Sequence, residues 1–287
     1  MKKAIILDVD GVIIGEKRGV NTPHPHPEVM RKMQEVRESG VPIVLCTAKP
    51  AFGIEYEIKE AHLDNPHIAD GGGLLVDNKG KVYEQFKLER NLAKRIIKSL
   101  LDKKVYTEVY TADNYYVQRD QVCDITDKHT FVLQRSPQIV DSLLEFCECH
   151  EITKIMLVVA DETCKSFGDE VFSPFKTEST MIWAVHLPIL PLQFGIITAL
   201  GISKPQGAKT ISKILDVPLE NMLAVGDSTS DWKFMQLCGY VGAMGNASSE
   251  LKDLVKSNGP GRFIIGNHVD ENGIIEIIDW YLEKNKI

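Results

Sequence analysis

Short apolar runs closed by polar residues or glycine recur along the chain, and their spacing predicts a set of buried strands. They fall at Ala4–Leu7, Pro42–Cys46, Leu74–Val76, Met222–Val225 and Tyr240–Ala243, with Phe263–Ile265 as a later member. Between the first two runs, Pro27–Ser39 opens with a proline suited to a first helical turn and stops before Gly40, which predicts a helix. Strand, helix, strand in that order implies a parallel crossover, and the tail from Gln206 onward repeats it. This is the pattern of an α/β fold.

The middle of the chain has a different pattern. Leu88–Leu101 and Ser136–Cys149 carry helical spacing, Val105–Tyr110 and Tyr115–Gln118 predict a hairpin around Ala112-Asp113-Asn114, and Ile155–Val159 predicts another strand. Met181–Pro191, restricted by Pro188 and Pro191, fits an edge strand or loop. An α+β module is therefore inserted into an α/β one, with no internal repeat or low-complexity segment.

A length of 287 residues suits one large domain or two ordinary ones. The hydrophobic share of 44% and charged share of 25% are those of an ordinary globular protein. A net charge of −7 argues against a general nucleic-acid binder, which needs clustered lysine and arginine. Met1-Lys2-Lys3 is followed by only four apolar residues, too few for a signal-peptide core. No run approaches the roughly 18 apolar residues of a membrane span, so the expectation is a cytoplasmic protein without membrane association. The six cysteines do not resemble a disulfide framework, and Cys147-Glu-Cys149-His150 lacks the paired spacing of a zinc site.

The candidate chemistry sits where apolar runs end. The first run delivers Asp8 and Asp10, spaced i, i+2, and then Gly11, which permits a sharp turn. An isolated Asp-x-Asp is usually a surface turn, so its meaning depends on company elsewhere. Thr47 follows the second strand-like run, Lys204 lies near the start of a helical stretch, and Gly226-Asp227-Ser-Thr-Ser-Asp231 follows the run at 222–225. Together these form a kit for phosphoryl transfer. A carboxylate attacking a phosphate dianion meets like-charge repulsion, so Mg²⁺ and a lysine must neutralise the site. Asp8 would form an aspartyl-phosphate, while Asp10 would protonate the leaving alcohol and later deprotonate the attacking water.

These residues resemble the four motifs of the haloacid dehalogenase superfamily, and especially its Cof-type sugar-phosphate phosphatases with a large cap of the C2 type. Lys204 and Asp227 stand 23 residues apart, as in the family layout, and Gly242-Ala-Met-Gly-Asn246-Ala247 is similar to its V-A-M-G-N-A stretch. The resemblance implies a doubly wound, mainly parallel core sheet carried by residues 1–83 and 196–287, with an α+β cap at 84–195. It implies Asp8 as nucleophile, Asp10 as acid/base, and Mg²⁺ held by Asp8, the Asp10 carbonyl and Asp227, with Asp231 in support. Thr47 and Lys204 would hold the phosphate, with Gly11 and Asn246 beside it.

The sequence departs from the family pattern in four places. Thr47-Ala48-Lys49-Pro50 replaces Thr-Gly-Arg, Lys204-Pro205 replaces Lys-Gly, Ser230 replaces an asparagine, and Val12 replaces the commoner threonine. Arginine and lysine are not equivalent, so a substrate contact at Lys49 would differ. Lys209 is a rival to Lys204 that fits the spacing less well. His24 and His26 alternate with prolines in an extended loop and are expected to be solvated rather than to bind metal or substrate; Tyr110, Tyr115, Tyr116 and Arg119 could contact a sugar, though aromatic strand residues usually pack. Asp70-Gly-Gly-Gly73 reads as a flexible turn, and the lysines of 94–104 as a solvated helix face.

The expected activity is Mg²⁺-dependent hydrolysis of a small phosphomonoester, a sugar phosphate or similar. A phosphosugar mutase on the same fold and a non-catalytic binding module for a phosphorylated ligand are the alternatives. Oligomeric state is not legible in the sequence.

Overall fold

The computed structural model describes residues 2–284, so the extreme ends of the expected core, residue 1 and residues 285–287, lie outside the described residues. The chain divides into two compact units: residues 1–47, 54–83 and 203–287, and residues 48–53 with 84–202. In chain order the first unit begins with β1 (Ala4–Leu7), α1 (Pro27–Glu38), β2 (Ile43–Leu45), α2 (Glu55–Glu60), β3 (His67–Ala69) and β4 (Leu74–Val76), and β5 (Val82–Gln85) straddles the boundary at 83. The second contains α3 (Arg90–Asp102), β6 (Tyr106–Tyr110), β7 (Tyr115–Gln118), α4 (Asp124–Leu133), β8 (Gln138–Val140), α5 (Leu143–Cys149), β9 (Lys154–Val159), α6 (Lys165–Phe172), β10 (Ser179–Ala184) and β11 (Gln193–Ala199). The return supplies α7 (Lys204–Leu215), β12 (Met222–Gly226), α8 (Thr229–Met235), β13 (Tyr240–Ala243), α9 (Ser249–Lys256), β14 (Phe263–Ile265) and α10 (Gly273–Lys284).

The first unit is built on a parallel sheet in the order β14-β13-β12-β1-β2. Its central strands are apolar throughout because both faces are covered. Ile5, Leu7, Leu45 and Val225 pack on one side with Met33 of α1 and Ile277 and Tyr281 of α10. Ala4, Ile6, Val44 and Ala224 pack on the other with Ile211 of α7, Phe234 of α8 and Leu251 of α9. The chain moves outward from β1 to β2, then resumes at β12 on the opposite side of β1. That reversal opens a crevice at the carboxyl ends of β1 and β12, the place where open α/β sheets bind ligands. The doubly wound expectation is met.

The six-stranded sheet of the second unit runs β10-β11-β9-β6-β7-β8. Its pairs are antiparallel except β7 with β8. The hairpin forms in the expected place, with Tyr110 opposite Tyr115, and the segment from 181 belongs to the edge strand β10.

Two expectations are corrected. The segment 136–149 is not one helix: Gln138–Val140 extends the sheet edge beside β7, and only then does α5 begin, with the Ser142 hydroxyl accepting the Glu145 amide at 3.2 Å. A β-branched pair, Ile139-Val140, followed by a capping serine explains that break. The expected return to the core at 196 falls inside β11, whose residues pair with both β9 and β10. The second unit therefore continues to Ile202 and also takes in residues 48–53. Among the described residues, no helix is long and apolar enough to cross a membrane.

Candidate active site

Four chain segments meet at the crevice of the parallel sheet. At the tip of β1 the Asp8 amide donates to Val225 O at 3.0 Å, which keeps the first aspartate in register with β12. The chain then turns: Val9 O accepts the amides of Ile13 and Ile14, both at 3.0 Å. Gly11 takes a φ of +76°, and a Cβ there would stand 2.0 Å from Asp227 Oδ2. Glycine is thus needed twice, for its left-handed backbone and for the carboxylate pressed against it. That contact sets Asp227 beside the peptide joining Asp10 to Gly11.

Beyond β12, Asp231 turns back on the residues before it. Its Oδ2 accepts from the Asp227 amide at 3.3 Å, the Ser228 amide at 3.2 Å and the Ser228 hydroxyl at 2.9 Å. These bonds cap α8 and fix the direction of the Asp227 turn. Beyond β2, the Thr47 amide bonds Ile68 O at 2.9 Å and its carbonyl accepts the Gly71 amide at 2.9 Å. The close approach of Gly72 to Ser203, where a Cβ would lie 2.4 Å from Ser203 O, seats the 70–73 turn against the start of α7.

Lys204, the first residue of α7, places Nζ 3.0 Å from Asp8 Oδ2 and 2.7 Å from Asp231 Oδ1. Burial works against its ammonium, yet Asp231 and Asp8 outweigh that and hold it well above the usual lysine range. Burial would likewise raise Asp231, but Lys204 and the Ser228 hydroxyl hold its carboxyl below the ordinary value. Asp8 is pushed well up by burial and then by Asp231, with Lys204 opposing. Asp227 is pushed up to about 7 by burial and by Asp231.

Three carboxylates, those of Asp8, Asp227 and Asp231, offer oxygens within 4.8 Å of one another. One ammonium serves the cluster, and it bonds Asp8 and Asp231. The raised Asp227 carboxyl marks where positive charge is lacking. A hard divalent cation with oxygen preference fits this donor set. Asp231 fits it least as a direct ligand, since it is fully buried and its two oxygens already accept four protein donors, against two at Asp8.

Of the residues singled out in the sequence, Asp8, Gly11, Lys204, Asp227 and Asp231 are joined by the contacts above. Thr47 and Asp10 lie at the ends of the adjoining segments, and the Asp10 side chain is outside the compact carboxylate cluster. Asn246 is engaged with the backbone: its Nδ2 donates to Gly11 O at 2.8 Å and its Oδ1 accepts the Val269 amide at 2.9 Å. Its carboxamide therefore ties two backbone segments together. Lys209 is exposed on α7. His24 is not a free loop residue, because its Nδ1 lies 3.0 Å from Glu57 Oε1 and its ring stacks on Tyr56; His26 accepts the Glu28 amide at the start of α1. Ser228 was missed, although Ser-x-x-Asp before a helix is a capping signal.

The arrangement is that of a doubly wound α/β enzyme with an acidic, lysine-bridged centre at its switch point. A family model described as haloacid dehalogenase-like hydrolase matches residues 5–278, and the chain belongs to that family. Phosphatase YwpJ of Bacillus subtilis is 23% identical, over 88% of this chain and 92% of that protein. The 5-amino-6-(5-phospho-D-ribitylamino)uracil phosphatase YwtE of the same organism is 24% identical, over 98% of each. A haloacid dehalogenase-like hydrolase from Bacteroides thetaiotaomicron superposes with a TM-score of 0.81 at 17% identity, covering 97% of this chain and 99% of that one. The subclass IIB sugar phosphatase BT4131 does so with a TM-score of 0.78 at 19% identity, covering 97% and 98%. The expectation of a hydrolase of this superfamily is met.

Proposed function

We propose that this enzyme is a Mg²⁺-dependent phosphatase that hydrolyses a small phosphomonoester, a sugar phosphate or similar, through an aspartyl-phosphate. The bridging of Asp8 by Lys204, with Asp227 close by and short of counter-charge, carries this reading. It is supported by the phosphatase names of the relatives, one of which acts on a phosphorylated ribityl compound.

In this reading Asp8 is the nucleophile. Its Oδ1 accepts the Val9 amide at 2.7 Å and its Oδ2 faces Lys204, so the carboxylate is oriented before any substrate arrives. Asp10 donates a proton to the departing alcohol, then takes one from the water that cleaves the acyl phosphate. The Thr47 hydroxyl and the Lys204 ammonium hold phosphate oxygens. Asp8, the Asp10 carbonyl and Asp227 would hold Mg²⁺, which supplies positive charge against the phosphate and the carboxylates. Asp231 keeps Lys204 aimed and charged.

Asp8→Asn keeps the size of the side chain and removes the nucleophile. It is expected to abolish Mg²⁺-dependent release of phosphate from an aryl phosphate such as 4-nitrophenyl phosphate, and undiminished turnover by the variant would refute the assignment.

A further inference from the structure

The loop that follows β1 carries Asp10 and continues to Thr22, and two distant side chains hold it from opposite ends. Near its start, Asn246 takes Gly11 O, one residue beyond Asp10, at 2.8 Å. At its far end, Asp270 Oδ1 accepts the Glu16 amide at 3.0 Å and the Asn21 Nδ2 at 2.8 Å. Asn21 is buried and internally braced, since its Oδ1 accepts the Lys17 amide at 3.0 Å. The two anchors are themselves connected: Val269, the neighbour of Asp270, donates its amide to Asn246 Oδ1 at 2.9 Å. A continuous line of hydrogen bonds and chain therefore runs from Asn21 through Asp270, Val269 and Asn246 to the carbonyl of Gly11, one residue beyond Asp10.

We infer that Asp270 is a positioning residue for proton transfer by Asp10, acting through Asn21 and the Val269–Asn246 link. The inference rests on the reading of Asp10 as acid/base. The loop is braced within itself by the Ile13 and Ile14 amides on Val9 O and the Gly15 amide on Asn21 O, and Asp270 ties that brace to a distant segment. Gly15 leaves no room for a side chain, because a Cβ there would meet both Asn21 Nδ2 and Asp270 Oδ1 at 2.2 Å. An acceptor at position 270 is thus built into the loop's packing. A carboxylate suits it because it receives two donors at one oxygen, and bonds to a charged acceptor are short and directional. Loosening the far part of the loop by a fraction of an ångström displaces the acid more than Asp8, whose amide is held by Val225 O and whose carboxylate is held by the Val9 amide and Lys204.

The consequence depends on the leaving group. A 4-nitrophenolate departs without a proton, whereas an alkoxide needs one from Asp10. In single turnovers, Asp270→Ala is expected to slow phosphoryl transfer from glycerol 2-phosphate on the order of a hundredfold, while the burst of 4-nitrophenolate from 4-nitrophenyl phosphate keeps nearly its rate. The later hydrolysis, in which Asp10 acts as base, slows alike for both esters. Asp270→Asn keeps an oxygen for both donors and is expected to restore most of the alkyl-ester rate. Amide hydrogen exchange at Glu16 is expected to accelerate in Asp270→Ala and stay slow in Asp270→Asn. Asn21→Ala removes the side-chain partner of Asp270 but leaves the Glu16 amide bonded to it, so should Asp270→Ala not fold, it carries the same expectation for the first step on the two esters. Equal slowing of the first step on both esters, no rescue by asparagine at 270, or unchanged exchange at Glu16 in Asp270→Ala would each overturn the inference. If the unaltered enzyme cleaves neither ester, the phosphatase reading fails, while the exchange at Glu16 still decides whether Asp270 holds the loop.

Discussion

Lys204 Nζ lies 2.7 Å from Asp231 Oδ1 and 3.0 Å from Asp8 Oδ2, so one ammonium joins the fully buried carboxylate of Asp231 to that of Asp8. Removing Asp231 leaves a buried cation with half of its compensation and strips the cap from α8. Asp231→Ala is expected to lower the free energy of unfolding by about 3 to 5 kcal/mol, measured by denaturant titration. A loss below about 1 kcal/mol, the range of exposed ion pairs, would show that the contact is solvated.

Gly11 separates catalysis from stability in the opposite sense. A methyl group there collides with Asp227 Oδ2 at 2.0 Å, and the φ of +76° disfavours any L side chain. Gly11→Ala is expected to cost phosphatase turnover far more than it costs thermal stability, because the residue that must move is Asp227 at the rim of the centre. Assay of the variant alongside its melting curve checks this; a variant with full turnover would place Asp227 outside the working site.

The strands at 4–7, 222–226 and 240–243 were legible because a parallel strand covered on both faces leaves an unbroken apolar run. Asp8, Asp227 and Asp231 were legible for a related reason: they follow such runs, where polar residues have few structural uses, whereas Lys204 stood out by its place near a helix start and its 23-residue spacing to Asp227. The strand at 138–140 was not, because its residues are largely exposed on a sheet edge and leave no apolar signature. Helix α4 went unseen because it buries Thr126 and His129 along with its apolar residues. The Asn21–Asp270 contact spans 249 residues, and nothing local in either segment announces it.

The proposed binding of Mg²⁺ can be tested through Asp227. Mg²⁺ is expected to raise the melting temperature of the enzyme, and at a hundred times its Kd to add about 2.7 kcal/mol. Because Asp227 is pushed up to about 7, protons compete for it, so more Mg²⁺ is needed for the same shift at mildly acidic pH than at pH 8. Asp227→Asn is expected to lose the shift at either pH. A variant that is still stabilised by Mg²⁺ as the unaltered enzyme is would exclude Asp227 from the metal.

His67 supplies a pH dependence of folding that is independent of the carboxylates. It is fully buried on β3, its Nδ1 accepts the Leu45 amide at 3.1 Å, and its Nε2 lies 3.4 Å from Leu63 O, so the neutral ring with a proton on Nε2 satisfies both partners. Burial pushes its pKa down to about 4 from 6.5, with the Leu63 carbonyl opposing. Between those values the unfolded chain binds a proton that the folded chain refuses. Stability from this group is therefore complete above pH 6.5 and falls as the pH drops toward 4, by a total on the order of 3 kcal/mol. His67→Asn retains an acceptor for the Leu45 amide and cannot titrate. Its free energy of unfolding is expected to run parallel to that of the unaltered protein above pH 7 and to converge on it as the pH falls from 6.5 to 4. Parallel curves throughout that window would show that His67 takes up its proton inside the folded protein.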